Sequence, residues 1–303
     1  MIIVKIIGGL GNQMFQVAFA KMLALELGDE VYLDVSAYKR YKIRNYSLSN
    51  LNISSSIKYV EDAKLSKVEE LYLKSCQNAY HIYQKIVKET TNIDKFGEIP
   101  FKYLSKRGFY YNFDRYYYDF SLNNTRLKNI YGYFQSEKYF KKYRNIVHEE
   151  LKVKTPLTTR EQLILDEIES SNAVGVSMRL GDDYINSPTL NVCKEDYYYR
   201  GMDYIYSKNK DAVFYIFSDS IDRVKQQFKF KYPVRYIDGF KDYESLRLMY
   251  SCKHFVISNS SFSWWGAYLA ENKNKIIVAP NKWYNNTKEK PDIYFNEMTL
   301  LEV

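Results

Sequence analysis

Four short polar motifs in the sequence each follow an apolar segment of β-strand character. They are G-G-L-G-N-Q-M-F-Q (residues 8–16), S-M-R-L-G-D (177–182), S-D (218–219) and N-S-S-F-S-W-W-G (259–266). Glycine turns, helix N-termini, serine hydroxyls and the arginine fork are groups with which proteins bind phosphate. The motifs therefore predict a site for a phosphate-bearing ligand.

The serine-rich motif lies where a helix is expected to begin. Asn259, Ser260 and Ser261 would place backbone N–H groups and hydroxyls at the positive end of the helix dipole, which suits a phosphate. Ordinary N-capping by a serine is the alternative, and it needs no ligand. Capping accounts for one serine but not for a cluster beside Trp264 and Trp265. The motif therefore favours ligand binding.

Arg179 ends a segment with the character of a buried strand. An unpaired buried guanidinium is costly, so Arg179 requires a partner. Its planar fork can bind a diphosphate through two parallel hydrogen bonds. A structural ion pair with Asp182 or Asp183 explains the arginine equally well when it is considered alone.

The glycine motif also resembles a dinucleotide-binding fingerprint, with Asp34 placed where a ribose-binding acid would lie. Met14 replaces the third glycine of that fingerprint, so a nicotinamide-dependent oxidoreductase is a weak alternative. The chain also contains no D-x-D pair of the kind that holds a divalent metal on a nucleotide diphosphate. We therefore expect Arg179 and backbone amides to neutralise a diphosphate without a metal ion.

The composition indicates a folded protein with an anionic partner. Of the 303 residues, 46% are hydrophobic and 26% are charged, which argues against disorder. No apolar run approaches the roughly 18 residues of a membrane span, and the apolar start is too short for a signal peptide. The net charge of +8 favours a phosphorylated small molecule, an anionic lipid or a nucleic acid. The three cysteines and three histidines are scattered, so neither disulfides nor a metal site are expected.

The predicted elements place the motifs at the ends of parallel strands. The first forty residues predict a strand, a glycine turn, a helix that ends at Gly28 and a second strand. From residue 173 onward strands alternate with helices, which implies a parallel sheet covered on both faces. Ligands of such sheets bind beyond the carboxyl ends of the strands.

Several local predictions accompany this pattern. The strands of the second half are expected at residues 173–178, 213–217, 234–237, 255–258 and 275–279. Thr158 and Glu161 predict a capping box, and Asp242 is expected to cap a later helix. A helix is expected around residues 62–73, and the aromatic segment 108–118 resembles a loop.

Five segments, in this order, resemble the α-1,2-fucosyltransferases of glycosyltransferase family 11. The glycine motif is similar to the family's N-terminal signature, and C-K-H-F-V-I-S-N-S-S-F-S-W-W-G-A (252–267) is the most specific match. The others are Y-G-Y-F-Q-S-E-K-Y-F (131–140), F-S-D (217–219) and A-P-N-K-W (279–283). The resemblance spans nearly the whole chain.

The resemblance implies an α/β fold of the GT-B type, with two Rossmann-like domains facing across a cleft. Residues 1–155 would form an acceptor-side domain with a Tyr-rich insertion, and residues 156–303 a domain that binds GDP-fucose. The implied reaction is an inverting, metal-independent transfer of L-fucose to the 2-hydroxyl of a galactoside. No cofactor is expected, because GDP-fucose is the donor substrate.

The strand-end positions and the resemblance together assign candidate roles. Arg179, Asp182 and Asn12 are the candidate catalytic residues. The candidate donor-binding residues are Gly9, Gly11, Ser177, Arg179, Ser218, Asp219, Asn259, Ser260, Ser261 and Ser263. The candidate acceptor-binding residues are Asp34, Gln13 and Gln135. Asp34 and Asp182 are also the candidates for a general base.

Two departures from the family pattern concern the nucleotide. The family's arginine motif usually reads H-x-R-R-G-D, whereas this chain has Ser177 and Leu180 in place of the histidine and the second arginine. Because that histidine lies near the guanine in related fucosyltransferases, guanine contacts are expected to differ here. Ser220 likewise replaces an aspartate that often follows F-S-D.

The expected acceptor is a galactose-terminated oligosaccharide of a surface polysaccharide or O-antigen. The basic charge suits a lipid-linked form, so we expect a cytoplasmic protein with peripheral association at the inner membrane face. Some of the 32 tyrosines could stack on sugars, although AT-rich codon usage explains their number equally well. The remaining alternatives are another fucosyl linkage and a non-catalytic sugar- or RNA-binding protein. No usual RNA-binding motif occurs, so no nucleic-acid partner is expected.

Overall fold

The computed structural model describes residues 1–39, 45–63, 65–90 and 94–303, and the chain divides into two units. Unit 1 comprises Met1–Ser49, Ile53–Leu151 and Pro291–Ile293, and unit 2 comprises Asn50–Asn52, Lys152–Lys290 and Tyr294–Val303. The chain passes from unit 1 into the main part of unit 2 after Leu151, whereas the sequence predicts a domain boundary after residue 155. In the described ranges, no helix combines the length and apolar character that crossing a bilayer requires.

The described residues of unit 1 form a five-stranded parallel sheet with the order β3-β2-β1-β5-β4. Its strands are β1 (Ile2–Lys5), β2 (Val31–Asp34), β3 (Ile57–Tyr59), β4 (Phe109–Asn112) and β5 (Lys128–Gly132). Its helices are α1 (Leu10–Leu27), α2 (Lys67–Thr90), α3 (Glu98–Ser105) and α4 (Arg144–Glu150). β1 takes the central position because its residues 2–4 are apolar and can be buried on both faces.

The glycine motif turns the chain from β1 into α1. Gly8 has a φ of +81°, and a Cβ added there would lie 2.6 Å from Asn12 Nδ2, so only glycine fits without strain. α1 ends as predicted at Gly28, which adopts the left-handed conformation and donates its N–H to the carbonyl oxygen of Ala24. The first β-α-β unit predicted from the sequence is therefore confirmed.

The region between α1 and α4 differs most from the expectation. The aromatic segment 108–118, expected to be a loop, contains β4, whose four residues are all buried. Aromatic side chains favour strands, and β4 pairs with β5 at the edge of the sheet. The helix expected around residues 62–73 is α2, which begins later, at Lys67, and continues to Thr90.

Unit 2 contains a six-stranded parallel sheet with the order β11-β10-β9-β6-β7-β8. Its strands are β6 (Asn172–Met178), β7 (Ala212–Ser218), β8 (Val234–Ile237), β9 (His254–Ile257), β10 (Ile277–Pro280) and β11 (Met298–Leu301). Its helices are α5 (Thr159–Glu169), α6 (Asp182–Ile185), α7 (Glu195–Lys208), α8 (Ile221–Gln227), α9 (Asp242–Tyr250) and α10 (Ser261–Leu269). The alternating α/β pattern predicted from residue 173 is confirmed.

Two helix starts in unit 2 test the capping predictions. Thr158 and Glu161 form the predicted capping box at the start of α5. At α9 the prediction was wrong by one residue, because Lys241 rather than Asp242 is the N-cap. The Glu244 carboxylate accepts the backbone N–H of Lys241 at 2.8 Å. The glutamate three positions into the helix thus fixes where α9 begins.

Candidate active site

The predicted donor motifs of unit 2 meet at the carboxyl ends of three neighbouring strands. β6 lies between β7 and β9, with Met178 opposite Ser218 and Ser177 opposite Ile257. From β6 the chain builds the sheet outward through β7 and β8, and then returns to the other side to add β9, β10 and β11. The point between β6 and β9 is therefore a topological switch point, where doubly wound sheets bind their ligands.

Arg179 follows β6 and is held by two carboxylates. Its Nη2 donates to Oδ2 of Asp183 at 2.8 Å, and its Nε lies 2.5 Å from Oδ2 of Asp219 in an ion pair. The Nε–H is not aligned with that oxygen, so this second contact is a charge interaction rather than a directed hydrogen bond. Because the side chain is 22% exposed, the guanidinium is oriented by protein groups and still reachable by a ligand.

Asp219 organises the loop that carries Arg179. Its Oδ1 accepts the backbone N–H groups of Leu180 at 2.7 Å and Gly181 at 2.9 Å. A Cβ added to Gly181 would lie 2.9 Å from the other carboxylate oxygen of Asp219, so glycine permits this close approach. One carboxylate thus fixes both the arginine side chain and the main chain that follows it.

Asp182 pairs with Arg223 rather than with Arg179. Arg223 Nη2 donates to Oδ1 of Asp182 at 2.6 Å, and its Nη1 donates to the carbonyl oxygen of Leu180 at 2.8 Å. Of the two ion pairs that the sequence allowed for Arg179, the structure forms the one with Asp183. The Asp182 carboxylate is 75% exposed and is therefore open to solvent and to a ligand.

Three serines form a buried chain beneath the start of α10. Ser177 Oγ lies 2.6 Å from Ser263 Oγ, which in turn lies 3.2 Å from Ser258 Oγ. All three side chains are buried. The hydroxyl of Ser177, which stands at the histidine position of the resembled motif, therefore ties β6 to α10.

The start of α10 has the backbone features expected of a phosphate site. Ser260 is the N-cap, and among the described residues its side chain makes no capping hydrogen bond. The first turn contains no acidic residue, so no side chain of that turn neutralises the positive end of the helix dipole. In the described structure, the side chain of Ser260 therefore does not provide the serine capping that is the alternative explanation of the motif. Trp264 and Trp265 are fully buried and serve as core residues.

Asn259 is engaged at both ends of its amide group. Its Oδ1 accepts the hydroxyl of Tyr184 at 2.6 Å, and its Nδ2 donates to the carbonyl oxygens of Leu190 at 2.9 Å and Trp283 at 2.8 Å. The residue is 6% exposed. Asn259 therefore joins the loop before α7 and the segment after β10 to the start of α10.

Tyr184 is a residue of this region that the sequence did not reveal. Besides donating to Asn259, its hydroxyl accepts the backbone N–H groups of Val192 at 3.1 Å and Cys193 at 2.9 Å. Burial raises the pKa of Tyr184, so the phenol remains protonated and can donate. The ring centre lies 5.5 Å from the guanidinium carbon of Arg179. Tyr184 is one of 32 tyrosines and lies outside the motifs, so the sequence does not indicate this role.

The other donor candidates of unit 2 occupy the same edge of the sheet. Ser218 is the last residue of β7, and its Oγ accepts the backbone N–H of Ser220 at 3.1 Å. Ser220 is the N-cap of α8, and Ser261 is the first residue of α10. These side chains lie at the ends of β7 and β9, on either side of β6.

In unit 1 the glycine motif forms the start of α1. Gly9 is the N-cap, and its carbonyl oxygen accepts the N–H groups of Asn12 at 2.9 Å and Gln13 at 3.1 Å. Gly11 is buried in the first turn. Gly9 and Gly11 therefore belong to unit 1, whereas the other donor candidates belong to unit 2.

Asn12 and Gln135 are 123 residues apart in the sequence and are brought together in unit 1. Gln135 Nε2 donates to Oδ1 of Asn12 at 2.7 Å. Both side chains lie beyond the carboxyl ends of adjacent strands, β1 and β5. The structure thus joins a candidate catalytic residue to a candidate acceptor-binding residue.

The loop that presents Gln135 has an unusual backbone. Gly132 has a φ of +144°, and a Cβ added there would lie 1.8 Å from the carbonyl oxygen of Asn112. Among the described residues other than glycine, only Phe134 has a positive φ, which is +52°. Its ring is buried and stacks on Phe19 with centroids 4.4 Å apart, which holds this conformation. Strain of this kind is concentrated at functional loops.

Gln13 is fully buried, and backbone groups bind its amide. Its Nε2 donates to the carbonyl oxygens of Gly8 at 3.1 Å and Asn45 at 2.7 Å, while its Oε1 accepts the N–H of Ser47 at 3.1 Å. In this structure Gln13 supports the glycine turn.

Asp34 ends β2 and is bound by a cation and a backbone amide. Lys5 Nζ donates to Oδ2 at 2.8 Å, and the N–H of Ser36 donates to Oδ1 at 3.0 Å. Burial is the largest single influence and would raise the pKa of Asp34, but the hydrogen bonds and charge of Lys5 and Ser36 outweigh it and the pKa is lowered. Asp34 is therefore held as a carboxylate and is a weak base.

Comparison with known proteins gives this geometry a context. Two relatives from Escherichia coli match almost end to end. An alpha-1,2-colitosyltransferase is 29% identical over 295 residues, covering 93% of this chain and 92% of the relative. The O-antigen biosynthesis glycosyltransferase WbnK is 30% identical over 308 residues, covering 93% of this chain and 95% of the relative.

A similar solved structure is that of NodZ alpha-1,6-fucosyltransferase, from Bradyrhizobium, co-crystallized with GDP. It matches with a TM-score of 0.52 and 12% identity, covering 89% of this chain and 92% of that chain. At this identity the likeness concerns the fold alone, and it confirms the α/β fold of the GT-B type.

A model of a whole protein family also matches this chain. The model of glycosyl transferase family 11 aligns with residues 1–302. This match sets aside the nicotinamide-dependent and non-catalytic interpretations in favour of sugar transfer. The chain is therefore a glycosyltransferase and belongs to glycosyl transferase family 11.

Proposed function

We propose that this chain transfers L-fucose from GDP-β-L-fucose to the 2-hydroxyl of a terminal galactoside, with inversion, during O-antigen synthesis. The observation that carries the proposal is that Arg179, Asp219 and the start of α10 lie at the switch point of the unit 2 sheet. This position and this chemistry suit a nucleoside diphosphate. We assign donor binding to unit 2 and acceptor binding to unit 1.

The relatives support the linkage and leave two candidate donors. The α-1,2 linkage and the O-antigen setting come from the names of the two relatives. Because one of them is a colitosyltransferase, GDP-linked colitose is the second candidate donor. Colitose is L-fucose without its 3-hydroxyl, so both donors would present the same leaving group to Arg179. The NodZ structures, one soaked with GDP-fucose and one co-crystallized with GDP, favour a guanosine diphosphate.

Arg179 would stabilise the leaving diphosphate. As the bond between the anomeric carbon and the phosphate oxygen breaks, positive charge develops on the sugar ring and negative charge on the phosphate. A guanidinium has five N–H donors, and those not directed at Asp183 and Asp219 can bind phosphate oxygens. Because the two carboxylates already fix the guanidinium plane, little reorganisation is needed when the bond breaks.

The start of α10 would bind the same diphosphate. Backbone N–H groups at a helix N-terminus and the positive end of its dipole favour a phosphate. Tyr184 and Asn259 position this helix start beside Arg179. Ser177 stands at the histidine position of the family motif, and its hydroxyl is hydrogen-bonded to Ser263. We therefore infer that groups other than Ser177 bind the guanine. These elements would carry donor binding without a metal ion.

The reaction also requires a group that accepts the proton of the acceptor hydroxyl. Asp34 is a weak base because its charged form is stabilised by Lys5 and Ser36. Asp182 is also paired with a cation, Arg223, but its carboxylate is 75% exposed and open to a ligand, and we favour it as the base for that reason. In this mechanism the 2-oxygen of galactose bonds to the anomeric carbon, its proton passes to Asp182, and GDP leaves with the bonding electron pair.

Asn12 and Gln135 would hold the acceptor. Their amides are joined by one hydrogen bond, and amide groups of this kind bind the hydroxyls of sugars. Asp34 is the third acceptor candidate and can accept hydrogen bonds from sugar hydroxyls. Gln13 would act indirectly by supporting the glycine turn that carries Asn12.

A donor comparison tests the proposal. The purified chain is incubated in EDTA with a β-galactoside and one of GDP-fucose, GDP-colitose, GDP-mannose or UDP-galactose, and nucleotide release is measured. We expect galactoside-dependent release with the highest kcat/KM for GDP-fucose, and NMR of the product should show fucose joined to O2 of galactose. A higher kcat/KM for GDP-colitose would show that colitose, not fucose, is the preferred donor sugar. A different linkage in the product would show that another hydroxyl of the acceptor is the nucleophile. Release from UDP-galactose alone would contradict the assignment of the nucleotide.

A further inference from the structure

Helix α2 of unit 1 exposes an apolar stripe along its length. The exposed fractions are 76% for Val68, 66% for Leu71, 52% for Tyr72, 61% for Ile82 and 54% for Ile86. Residues 68, 72, 75, 79, 82 and 86 are spaced alternately by four and three, so they lie on one face of the helix, and all of them except Ser75 are apolar or aromatic. Another face, which includes Leu73 and Tyr80, packs on the sheet. α2 thus has a second apolar face beyond the one that folding buries.

A row of basic side chains lies beside this stripe. Lys67, Lys74 and Lys85 are exposed and recur at spacings that place them on the same flank of the helix. Between Glu70 and Glu89 the helix contains no acidic residue. We call the apolar stripe together with these lysines the α2 face.

We propose that the α2 face binds the surface of a membrane that contains anionic lipid. An amphipathic helix with an apolar stripe and flanking lysines lies in the interface plane, with its apolar side chains at the acyl boundary and its ammonium groups at the phosphates. The net charge of +8 favours the same partner. This inference concerns a surface outside the active site and does not depend on the donor or acceptor proposed above.

The charges of the α2 face favour lipid over a second copy of the chain. Two apolar helical stripes can pair, and charged residues beside such stripes select their partners. A second copy would present the same three lysines, with no carboxylate between residues 70 and 89 to oppose Lys74 and Lys85. A surface of anionic headgroups supplies the opposite charge.

The direction of α2 connects this surface to the strand ends of unit 1. Glu69, near the start of the helix, pairs with Arg126, which precedes β5. His81, two turns from the helix end, contacts the hydroxyl of Tyr131, next to last in β5. The exposed stripe therefore runs toward the edge of the sheet at which Gln135 and Asn12 lie. If unit 1 binds the acceptor as proposed, a lipid-linked acceptor would be held near this edge.

Vesicle co-sedimentation tests the inference. The chain is mixed with phosphatidylcholine vesicles that contain about one-third phosphatidylglycerol or none, at low and high salt. We expect binding to the anionic vesicles that salt weakens. Lys74→Glu with Lys85→Glu should reduce the partition coefficient at least about 25-fold, which is about fivefold per lysine. Leu71→Glu with Ile82→Glu should abolish binding.

Matched variants elsewhere serve as controls. Leu163→Glu replaces a leucine of unit 2 that is 62% exposed, and Lys273→Glu replaces an exposed lysine of unit 2. Both should bind vesicles like the wild type, and circular dichroism verifies that every variant is folded. Unchanged vesicle binding by the α2 variants would overturn the proposal. Salt-independent binding to neutral vesicles would also overturn it. The proposal would equally fail if the wild-type chain did not bind vesicles but formed a dimer, and Leu71→Glu with Ile82→Glu converted that dimer to a monomer.

Turnover of a water-soluble galactoside, measured without vesicles, separates this inference from the proposed function. The α2 variants should retain wild-type turnover, because the altered side chains lie outside the active site. Should the chain release no GDP from any donor, the vesicle experiment still decides whether α2 binds lipid.

Discussion

Arg179 Nε lies 2.5 Å from one carboxylate oxygen of Asp219, and the other oxygen accepts the backbone N–H groups of Leu180 and Gly181. The carboxylate that orients the guanidinium therefore also shapes the loop on which it stands. This arrangement fixes the arginine fork before a ligand arrives, which is how a protein stabilises charge that develops in a transition state.

Replacing Arg179 should reveal whether the fork or only its charge is needed. We expect Arg179→Lys to lower kcat/KM for GDP release nearly as much as Arg179→Ala, by about 10²- to 10³-fold, because an ammonium cannot form the two parallel bonds. Arg200→Lys is the matched control, since Arg200 also pairs with an aspartate four positions away in unit 2. Wild-type turnover by Arg179→Ala would remove Arg179 from the mechanism.

The two carboxylates around Arg179 should contribute unequally. In Asp219→Asn the amide would direct an NH₂ group or an uncharged oxygen at Nε, and we expect kcat/KM to fall about 10- to 100-fold. Asp183 is 47% exposed, so solvent screens its charge, and Asp183→Asn should cost less than tenfold. Steady-state kinetics on both variants, with GDP binding measured separately, test this order. A larger loss in Asp183→Asn would contradict the organising role of Asp219.

Gly132 should be indispensable for the stability of unit 1. The Cβ of Gly132→Ala would lie 1.8 Å from the carbonyl oxygen of Asn112, so strand β4 would have to move. We expect the free energy of unfolding to fall by more than about 3 kcal/mol. Gly28→Ala is the control, because Gly28 also has a positive φ but open space around it, and it should cost about 1 to 2 kcal/mol. Chemical denaturation measures both, and equal losses would contradict the steric argument.

The ion pair of Asp34 should make stability depend on pH. Its pKa is lowered in the folded protein, so as the pH falls the unfolded chain takes up the proton first. The stabilisation is complete above the ordinary aspartate pKa of about 3.9 and is lost as the pH falls through the lower folded value. Asp34→Asn should therefore be less stable than the wild type at pH 7, and the difference should shrink as the pH is lowered below about 4. A difference that stays constant with pH would contradict the assignment.

Five strands of the unit 2 sheet were predictable because they are apolar and separated by helix signals, whereas β11 (Met298–Leu301) was not expected. β8 was expected at residues 234–237 and is observed at Val234–Ile237. β4 and β5 were not found, because aromatic residues suit strands, helices and loops alike in a Tyr-rich segment. Their partners are also distant in the chain, since β5 pairs with β1 with Lys128 opposite Ile2. A local sequence pattern cannot predict that two strands so far apart in the chain pair with each other.

In the candidate site the residue types were predictable and their pairings were not. Arg179 with Asp183 is an i,i+4 pair that the sequence allows. The contact of Arg179 with Asp219 depends on β6 and β7 being neighbours, which follows only from the strand order. Tyr184 had no motif to mark it, because its role arises from the main chain that folds around its hydroxyl.

Release of GDP from GDP-fucose in the presence of EDTA tests the central claim most directly. The account predicts release that requires a β-galactoside, continues without a divalent metal and nearly disappears in Arg179→Lys. Absence of GDP release under these conditions, together with no measurable binding of GDP, would contradict the assignment of the switch point of unit 2 as the donor site.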